Sequence, residues 1–439
     1  MFLQIILFSF LLFPNISNAS FLEDFGASAK SMGLGGQGNL TSSSACLNYY
    51  MPAALANSET LQLEFSSFAT RYNIKPITNI VLENSINTES GEEKIGNIDN
   101  DFSDLISNAF HASLPLQRIR ASLNATVISP FPYVAQFDSG DPYAPEYAFI
   151  KSSPRRPQGF FNLAFGIKNN YSFSIGAHLG AKAESYILTK AAVNNQGDSK
   201  LYSFAKGGGE VTPKLAPIVS FFFQNEKFQG GLYFQGEMES NLKVDLTADE
   251  ISTGIIFDSI IESVLFYDPQ TIKAQFSFQF NDRFSFISSI NYYEWKKYHT
   301  PKITISPLAI MEGTFNYEKL SLRNTFSLKL GGIYQLKENI RLAGGIGYDQ
   351  SPLDSDFSES GNTIHSDIFT VALAPTLDFE FVDFKFNTSL GLSYKQLSNQ
   401  TVTKLPGQEN GQSGRKIGAP GYEIGGKIYT VSLDLGVEI

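Results

Sequence analysis

The feature that most constrains this chain is a hydrophobic alternation of period two, sustained over runs too long for ordinary soluble strands. Tyr429, Val431, Leu433, Leu435, Val437 and Ile439 alternate with Thr430, Ser432, Asp434, Gly436 and Glu438. Phe384, Phe386, Thr388, Leu390, Leu392 and Tyr394 alternate in the same way with Lys385, Asn387, Ser389, Ser393 and Lys395. A third run sets Leu232, Phe234, Gly236, Met238, Ser240, Leu242, Val244 and Leu246 against Gln235, Glu237, Glu239, Asn241, Lys243 and Asp245. Successive side chains of a strand point to opposite faces, so each run is a strand with one apolar and one polar face. At this length the pattern suits lipid on one side and water on the other.

Fourteen such segments are readable, near 60–72, 106–114, 118–127, 159–167, 171–184, 214–224, 228–246, 270–280, 284–295, 318–331, 338–349, 366–379, 382–395 and 424–439. Their connections alternate in length. Short ones are Pro115-Leu116-Gln117, Lys168-Asn169-Asn170, 224–227, Asn281-Asp282-Arg283, 335–337 and Glu380-Phe381. Long ones cover about 73–105, 128–158, 185–213, 247–269, 296–317, 350–365 and 396–423. An even strand count with short turns on one rim and long loops on the other predicts an all-β fold, a 14-stranded antiparallel transmembrane β-barrel. Closure is the physical point, because lipid offers no hydrogen-bond partners to a strand edge.

Composition removes the alternatives. With 13% aromatic and 17% charged residues the chain is neither disordered nor a coiled coil. Past the N-terminus no apolar stretch reaches the roughly 18 residues of a membrane helix. The net charge of −10 excludes nucleic acid as a partner, since phosphate binding needs a basic face. One cysteine, Cys46, excludes a disulfide scaffold and a cysteine-rich zinc site. The histidines 111, 178, 299 and 365 show no metal-ligand spacing, and no G-x-S-x-G elbow occurs. No enzymatic activity and no cofactor are expected.

The N-terminus reads as an address. Residues 5–13 are apolar except for Ser9, Pro14 ends the run, and Ser17-Asn18-Ala19 offers a small-residue cleavage site, so 1–19 is expected to be a secretory signal peptide. Residues 58–439 are then the barrel. Residues 20–57 do not alternate. They hold Gly26, Gly33, Gly35, Gly36 and Gly38, then Tyr49-Tyr50-Met51-Pro52-Ala53-Ala54-Leu55. Two readings are open for them: a flexible leader, or a compact plug (hatch) inside the barrel, in which glycines permit tight packing and aromatics fill the lumen.

Here the chain resembles the FadL-type family of outer-membrane transporters for long-chain fatty acids and aromatic hydrocarbons. Ala29-Lys30-Ser31-Met32-Gly33-Leu34-Gly35-Gly36 is similar to that family's N-terminal glycine-rich signature. Met51-Pro52-Ala53 sits where the family carries Asn-Pro-Ala in its hatch, with Met51 departing from the pattern. Trp295-Lys296-Lys297-Tyr298 and Gly347-Tyr348-Asp349-Gln350-Ser351-Pro352 are further collinear matches. The last strand also resembles the terminal signal that outer-membrane proteins present to the barrel-assembly machinery, although Ile439 replaces the usual Phe.

The resemblance implies an integral protein of the Gram-negative outer membrane. It implies a hatch at Met51, Pro52 and Ala53, loops that catch an apolar ligand, and a lateral exit at the third strand. Pro130 and Pro132 follow that strand and cannot donate to a ladder, which fits either a gap or the mere start of a loop. The expected partners are the bilayer and a hydrophobic small molecule such as a fatty acid, with the chain acting as a monomer. A structural or adhesive barrel and a diffusive porin are the alternatives.

Two sets of side chains are candidates for ligand contact. In the loop 247–269, Ile251, Ile255, Ile256, Ile260, Ile261, Val264 and Leu265 recur at helical spacing, predicting an amphipathic helix outside the barrel. Its roles would be packing against neighbouring loops or first capture of a greasy solute. An acidic lipid also needs a cation within an apolar pocket, because an unpaired carboxylate is costly to desolvate. His178, Lys182, Lys243, Arg323 and Lys329 are lumen-facing candidates, and a salt-bridge network with Glu184, Glu237, Glu239 or Asp245 is their other role. Trp295 is expected at the long-loop rim as an interface aromatic.

Overall fold

The computed structural model describes residues 26–42, 44–75, 77–83, 93–98, 105–129, 136–138, 158–168, 170–191, 204–250, 255–298, 302–306, 313–316, 322–352, 362–364, 366–382, 384–403 and 421–439. Fourteen strands form its wall: β1 (Gln62–Ile74), β2 (Leu105–Leu116), β3 (Ala121–Ser129), β4 (Gln158–Lys168), β5 (Tyr171–Ala191), β6 (Phe204–Gln224) and β7 (Phe228–Gln235) make up the first half. The second half is β8 (Thr271–Asn281), β9 (Phe284–Tyr293), β10 (Thr325–Lys337), β11 (Ile340–Asp349), β12 (Ile368–Phe381), β13 (Phe384–Thr403) and β14 (Gly421–Glu438). Each pairs antiparallel with the next, and each coincides with one of the alternating segments. β14 then pairs with β1, from Gln62 opposite Glu438 to Ile74 opposite Gly426. Leu61 and Ile439 exchange main-chain hydrogen bonds of 3.1 and 2.9 Å at the end of that seam. The ring is closed.

Alternation assigns the faces. In β14, Val431, Leu433 and Leu435 are 48%, 58% and 53% exposed, whereas Thr430, Ser432 and Asp434 are 2%, 1% and 0% exposed. In β12, Phe369, Val371, Leu373 and Leu377 point outward, and Thr370, Ala372, Ala374 and Thr376 inward. The outer skin is thus apolar and the inner wall largely polar, the inverse of a soluble β-barrel and the arrangement a bilayer requires.

Local chemistry makes the short turns. Asn225 Oδ1 accepts from the amides of Lys227 (3.0 Å) and Phe228 (2.7 Å), and Asn281 Oδ1 accepts from Arg283 and Phe284, both at 2.9 Å. An asparagine side chain that caps its own turn in this way fixes the reversal without glycine. Two other turns place Arg120 and Val382 in the left-handed region, at φ 51° and 49°.

Several expectations are corrected. The seventh segment is not one strand to residue 246. β7 ends at Gln235, and Gly236 donates its amide to Pro217 of β6 at 2.8 Å. A Cβ at Gly236 would lie 2.7 Å from the Pro217 ring. Pro217 has no N–H to extend the ladder, so the chain leaves the ring there. It continues as a strand Met238–Glu250 that pairs parallel with the far half of β5, from Val244 opposite Ser185 to Glu250 opposite Ala191. Alternation passes through the break unchanged, which is why the pattern did not reveal it.

Among the described residues the loop helix is also absent, and Ile251 lies outside them. Ile255–Asp268 is a strand antiparallel to Met238–Glu250, so Ile255, Ile256, Ile260 and Val264 lie on a sheet outside the ring. Eight of its fourteen residues are β-branched or aromatic, types that lose rotamer freedom in a helix and fit a pleated surface. A register shift opposite Ser240 and Asn241 leaves Leu265 unpaired, while the doublets Ile255-Ile256 and Ile260-Ile261 that gave the helical spacing lie in unbroken register. The short strands Lys302–Ser306 and Gly313–Asn316 extend this sheet.

The tenth wall strand begins at Thr325 rather than near 318. Trp295 is buried beside Tyr267, with ring centroids 5.9 Å apart, and so is not an interface aromatic. The signal segment 1–19 and the prolines 130 and 132 fall outside the described residues. β3 stays paired with β2 to Ser129 and with β4 to Ile128.

Candidate functional site

The interior is occupied by the chain's own N-terminal segment. Ser28 starts a short helix α1 (Ala29–Gly33), where Ser28 and Ser31 cap each other's main chain reciprocally. Gly35 and Gly36 then turn the chain at φ +79° and +89°. A second short helix α2 (Leu47–Tyr50) runs into a 3-10 turn Pro52–Asn57, with Pro52 at its first position. Ala29, Met32, Gly33, Leu34, Leu47, Asn48, Met51 and Ala53 are buried.

Glycine on the wall and glycine in the segment let main chain meet main chain. A Cβ at Gly345 of β11 would collide with the Leu34 backbone, and one at Gly391 of β13 would lie 3.0 Å from the Ala29 backbone. A Cβ at Gly35 would lie 2.9 Å from the Ile346 carbonyl oxygen. These approaches need the missing side chain, and at Gly35 the positive φ as well.

Polar contacts fix the rest. On β14, Asp434 accepts from the Ala29 amide at 2.7 Å and the Lys30 amide at 3.1 Å. Lys30 Nζ pairs with Glu64 of β1 at 3.2 Å and donates to Asn387 Oδ1 of β13 at 2.7 Å. Ser44 also donates to Glu64. Burial opposes the Lys30 ammonium, but the carboxylates of Glu64 and Asp434 hold its pKa above the ordinary lysine value. On β2, His111 Nε2 donates to the Ala27 carbonyl at 2.8 Å, which places the proton on that nitrogen. Asn48 donates to Thr126 of β3 at 3.1 Å and to the Phe160 carbonyl of β4 at 3.0 Å, and accepts from Asn162 at 2.8 Å. Cys46 lies between Ser28 and Ser44, and burial pushes its thiol up to about 12.

Met51, Pro52 and Ala53, the residues expected in a hatch, sit on β5, β6 and β7. The Ala53 amide donates to Ser220 Oγ at 2.9 Å, and Ser172 Oγ donates to the Ala53 carbonyl at 2.6 Å. Pro52 is buried at the head of the 3-10 turn. Met51 is fully buried, and a Cβ at Gly231 would lie 2.6 Å from its Sδ. Its surroundings need no polar atom, because Asn48, one turn earlier, makes the polar contacts.

Above the segment the inner wall carries a row of adjacent residues: Gln275, Ser289, Lys329, Gly347, Thr370 and Lys395 on β8 to β13. Lys329 is fully buried and donates to the Gly36 carbonyl at 3.1 Å, and Lys395 donates to Thr370 Oγ1 at 3.4 Å. The next row holds Lys273, Asn291, Ser327 and Asp349. Lys273 Nζ stands 4.9, 5.9 and 5.2 Å from the ring centroids of Tyr49, Tyr50 and Tyr233, a cation–π cage shared by segment and wall. The hydroxyls of Ser289 and Ser327 and Asp349 Oδ2 are buried and have no hydrogen-bond partner among the described residues.

The expected cations therefore separate. Lys329 faces the interior. His178 does too, stacked on Phe160 at 4.4 Å and accepting from Gln235 Nε2 at 3.1 Å. Arg323 precedes β10 and forms a rim clasp instead, donating to the Ser351 carbonyl at 2.9 Å and standing 3.9 Å from Asp367. Tyr348 donates to that same aspartate at 2.6 Å, so the Tyr348–Pro352 motif holds the rim together. Lys243 lies on the strand Met238–Glu250, outside the ring, and the Lys182 side chain is outside the described residues. Glu237 pairs with Lys297 at 3.7 Å rather than with a lumen base. Lys30, Asn48, Lys273 and Lys395 were missed as site residues. Face parity already put Lys273 and Lys395 on the polar side of their strands, whereas Lys30 and Asn48 lie where the chain has no period to read. Among the described residues no three His, Cys, Asp or Glu side chains gather to hold a metal ion.

At the level of sequence, no family model and no curated protein matches the chain. At the level of structure the likeness is extensive. A FadL homologue from Pseudomonas aeruginosa superposes with a TM-score of 0.70 at 13% identity, covering 95% of this chain and 99% of the other. The P. putida toluene transporter TodX superposes at 0.56 and 11% identity, with the same coverages of 95% and 99%. The Ralstonia pickettii toluene transporter TbuX gives 0.54 and 9%, again over 95% and 99%. This chain has the barrel fold of those proteins.

Proposed function

We propose that the chain is an outer-membrane channel for the passive uptake of hydrophobic compounds, with residues 20–57 as its hatch. One observation carries this reading. A ring with an apolar skin is filled by its own N-terminal segment, which is tied to nearly every strand around it. Such a filling opposes the steady diffusion of ions and polar solutes. Fold relatives that include a FadL homologue and two toluene transporters support the same reading.

Cargo enters from the long-loop side in this scheme. The sheet carrying Ile255, Ile256, Ile260 and Val264 takes the place of the expected helix as the apolar element outside the ring. The cargo then meets the inner row at Lys329 and Lys395 and the row beside it, where hydroxyls without a partner among the described residues, Ser289 in the first and Ser327 in the second, offer hydrogen bonds to an acidic or hydroxylated head. Displacement of Met51, Pro52 and Ala53 opens the path below. The chain acts as a monomer delivered by the barrel-assembly machinery, and Gram-negative outer membrane is its location.

Planar-bilayer recording together with uptake of a fluorescent long-chain fatty acid into proteoliposomes tests this. The intact chain is expected to conduct almost no ions yet pass the fatty acid, and deletion of 26–57 is expected to raise conductance at least about tenfold. Steady ion conduction by the intact chain would mark a diffusive porin. A silent intact barrel that passes no apolar probe would mark a structural or adhesive one.

A further inference from the structure

From β10 to β12 the outer wall stays apolar toward its long-loop rim, and it changes where the last strand meets the first. One row of outward residues on adjacent strands is Leu330, Ile346, Val371, Tyr394, Tyr429 and Arg71. The next row toward the long loops is Leu328, Tyr348, Phe369, Gln396, Lys427 and Asn73. Both rows reach a base at the seam between β14 and β1. Arg71 shares its face with Phe65, and Lys427 shares its face with Val431 and Leu433, so both point out of the ring, where both are exposed.

Two tyrosines mark the depth of this corner. The rings of Tyr394 and Tyr429 stand 5.4 Å apart on the outer face. Tyr394 donates to Gln396 Oε1 at 2.6 Å, and Gln396 Nε2 donates to the Gly426 carbonyl at 3.0 Å. Outward tyrosines with an apolar ring and a polar hydroxyl belong to the headgroup level of a membrane. Below them the skin is apolar again, with Leu392, Val431 and Leu433 exposed on it.

Charge singles the corner out. Among the described residues neither Arg71 nor Lys427 has an ion-pair or hydrogen-bond partner for its side chain. The nearby acids are committed elsewhere: Glu423 pairs with Lys75 at 2.9 Å, and Asp367 accepts from Tyr348 at 2.6 Å and stands 3.9 Å from Arg323. Arg71 is opposite Tyr429 and Asn73 is opposite Lys427, so the two bases are diagonal neighbours across the seam. Diagonal positions in a sheet are about 7–8 Å apart, close enough for two long side chains to meet on one group between them. Two cations at headgroup depth over an apolar skin match one amphiphile, an anionic head on a hydrocarbon tail.

We propose that Arg71 and Lys427 bind the phosphate of an anionic lipid in the leaflet on the long-loop side, with its acyl chains over Leu392, Val431 and Leu433. The inference rests on the membrane reading above. Its bases come from the first and last wall strands, so the lipid clamps the closing seam from outside, apart from the cargo path within.

Native mass spectrometry of the full chain, released from phosphatidylcholine vesicles that carry a minor share of diphosphoryl lipid A, tests it. The wild type is expected to retain lipid A about tenfold above its bulk share. Arg71→Gln with Lys427→Gln should return retention to the bulk share, whereas Arg283→Gln at the short-turn rim should leave it unchanged. Lipid A should also raise the unfolding temperature of the wild type above its value in phosphatidylcholine alone, and not that of the double variant. Retention by the wild type at the bulk share, or undiminished retention by the double variant, overturns the proposal. An equal loss in Arg283→Gln overturns it too, by making the effect one of overall charge. The same thermal rise from inorganic phosphate would put a free ion in place of the lipid and overturn it as well. If the intact chain inserts into neither kind of vesicle, the membrane reading itself fails and takes this inference with it.

Discussion

The wall and the segment inside it are held by different forces. Wall strands are fastened by continuous ladders, thirteen residue pairs between β1 and β14 alone, so that no single side chain decides whether they pair. The inner segment has no ladder. It is pinned by individual contacts: Asp434 on two amides, Lys30 on Glu64, Asn48 on β3 and β4, and Ser172 and Ser220 on Ala53. Elements with few main-chain bonds to their surroundings open at lower free energy than those in cooperative ladders. One protein therefore combines a ladder-fastened frame with a segment held by separate contacts, and in the proposed uptake scheme that segment is where motion has to come from.

The largest local effect is expected at Lys30. Lys30→Met leaves the Glu64 carboxylate buried without its cation, costing about 3–5 kcal/mol. Hydrogen exchange should then rise across 26–57 and leave the wall protected. Exchange rising equally in β1 and β14 would contradict the division. The pH dependence follows from the sign of the shift. A base whose folded pKa is raised contributes fully below its ordinary range and loses that contribution only as pH climbs past it. Protection of 26–57 owed to Lys30 should therefore hold from neutral pH to about 10.

The wall gives the converse result. Leu433→Arg puts a charge on the apolar face of β14 and should cost about 2–4 kcal/mol near mid-membrane. Unfolding of the whole barrel in denaturant would report it, with no selective gain of exchange in 26–57. The smallest effect is expected from Ser220→Ala, which removes the acceptor of the Ala53 amide. A loss of about 1 kcal/mol, confined to exchange near Ala53, is the expected reading. A global loss would place Ser220 in the frame instead.

How much was legible from residues alone follows the same division. Period two found every wall strand and both of its faces, because one face of each strand is buried and a slip by one residue would invert it. The pattern failed at Gly236, where alternation carries on while the backbone leaves the ring. It failed again at 255–268, where the doublets Ile255-Ile256 and Ile260-Ile261 imitate helical spacing within a regular strand. Side chains in strands could be assigned by parity, which placed Lys329 and Lys395 inside. Arg323 went astray because its strand starts at Thr325, beyond it, rather than near 318. The inner segment has no periodicity, so Lys30 and Asn48 became visible only through the strands they touch.

The seam between the first and last wall strands has a consequence for biogenesis. The helix at Ala29 touches Glu64 on one side of that junction and Asp434 and Asn387 on the other, and so bridges it from within. The cylinder cannot be sealed before its C-terminal strand arrives, and that strand brings the aspartate on which the leading helix seats. Corking and sealing thus become a single late event, and a nascent chain stalled before Asp434 is left both unsealed and uncorked.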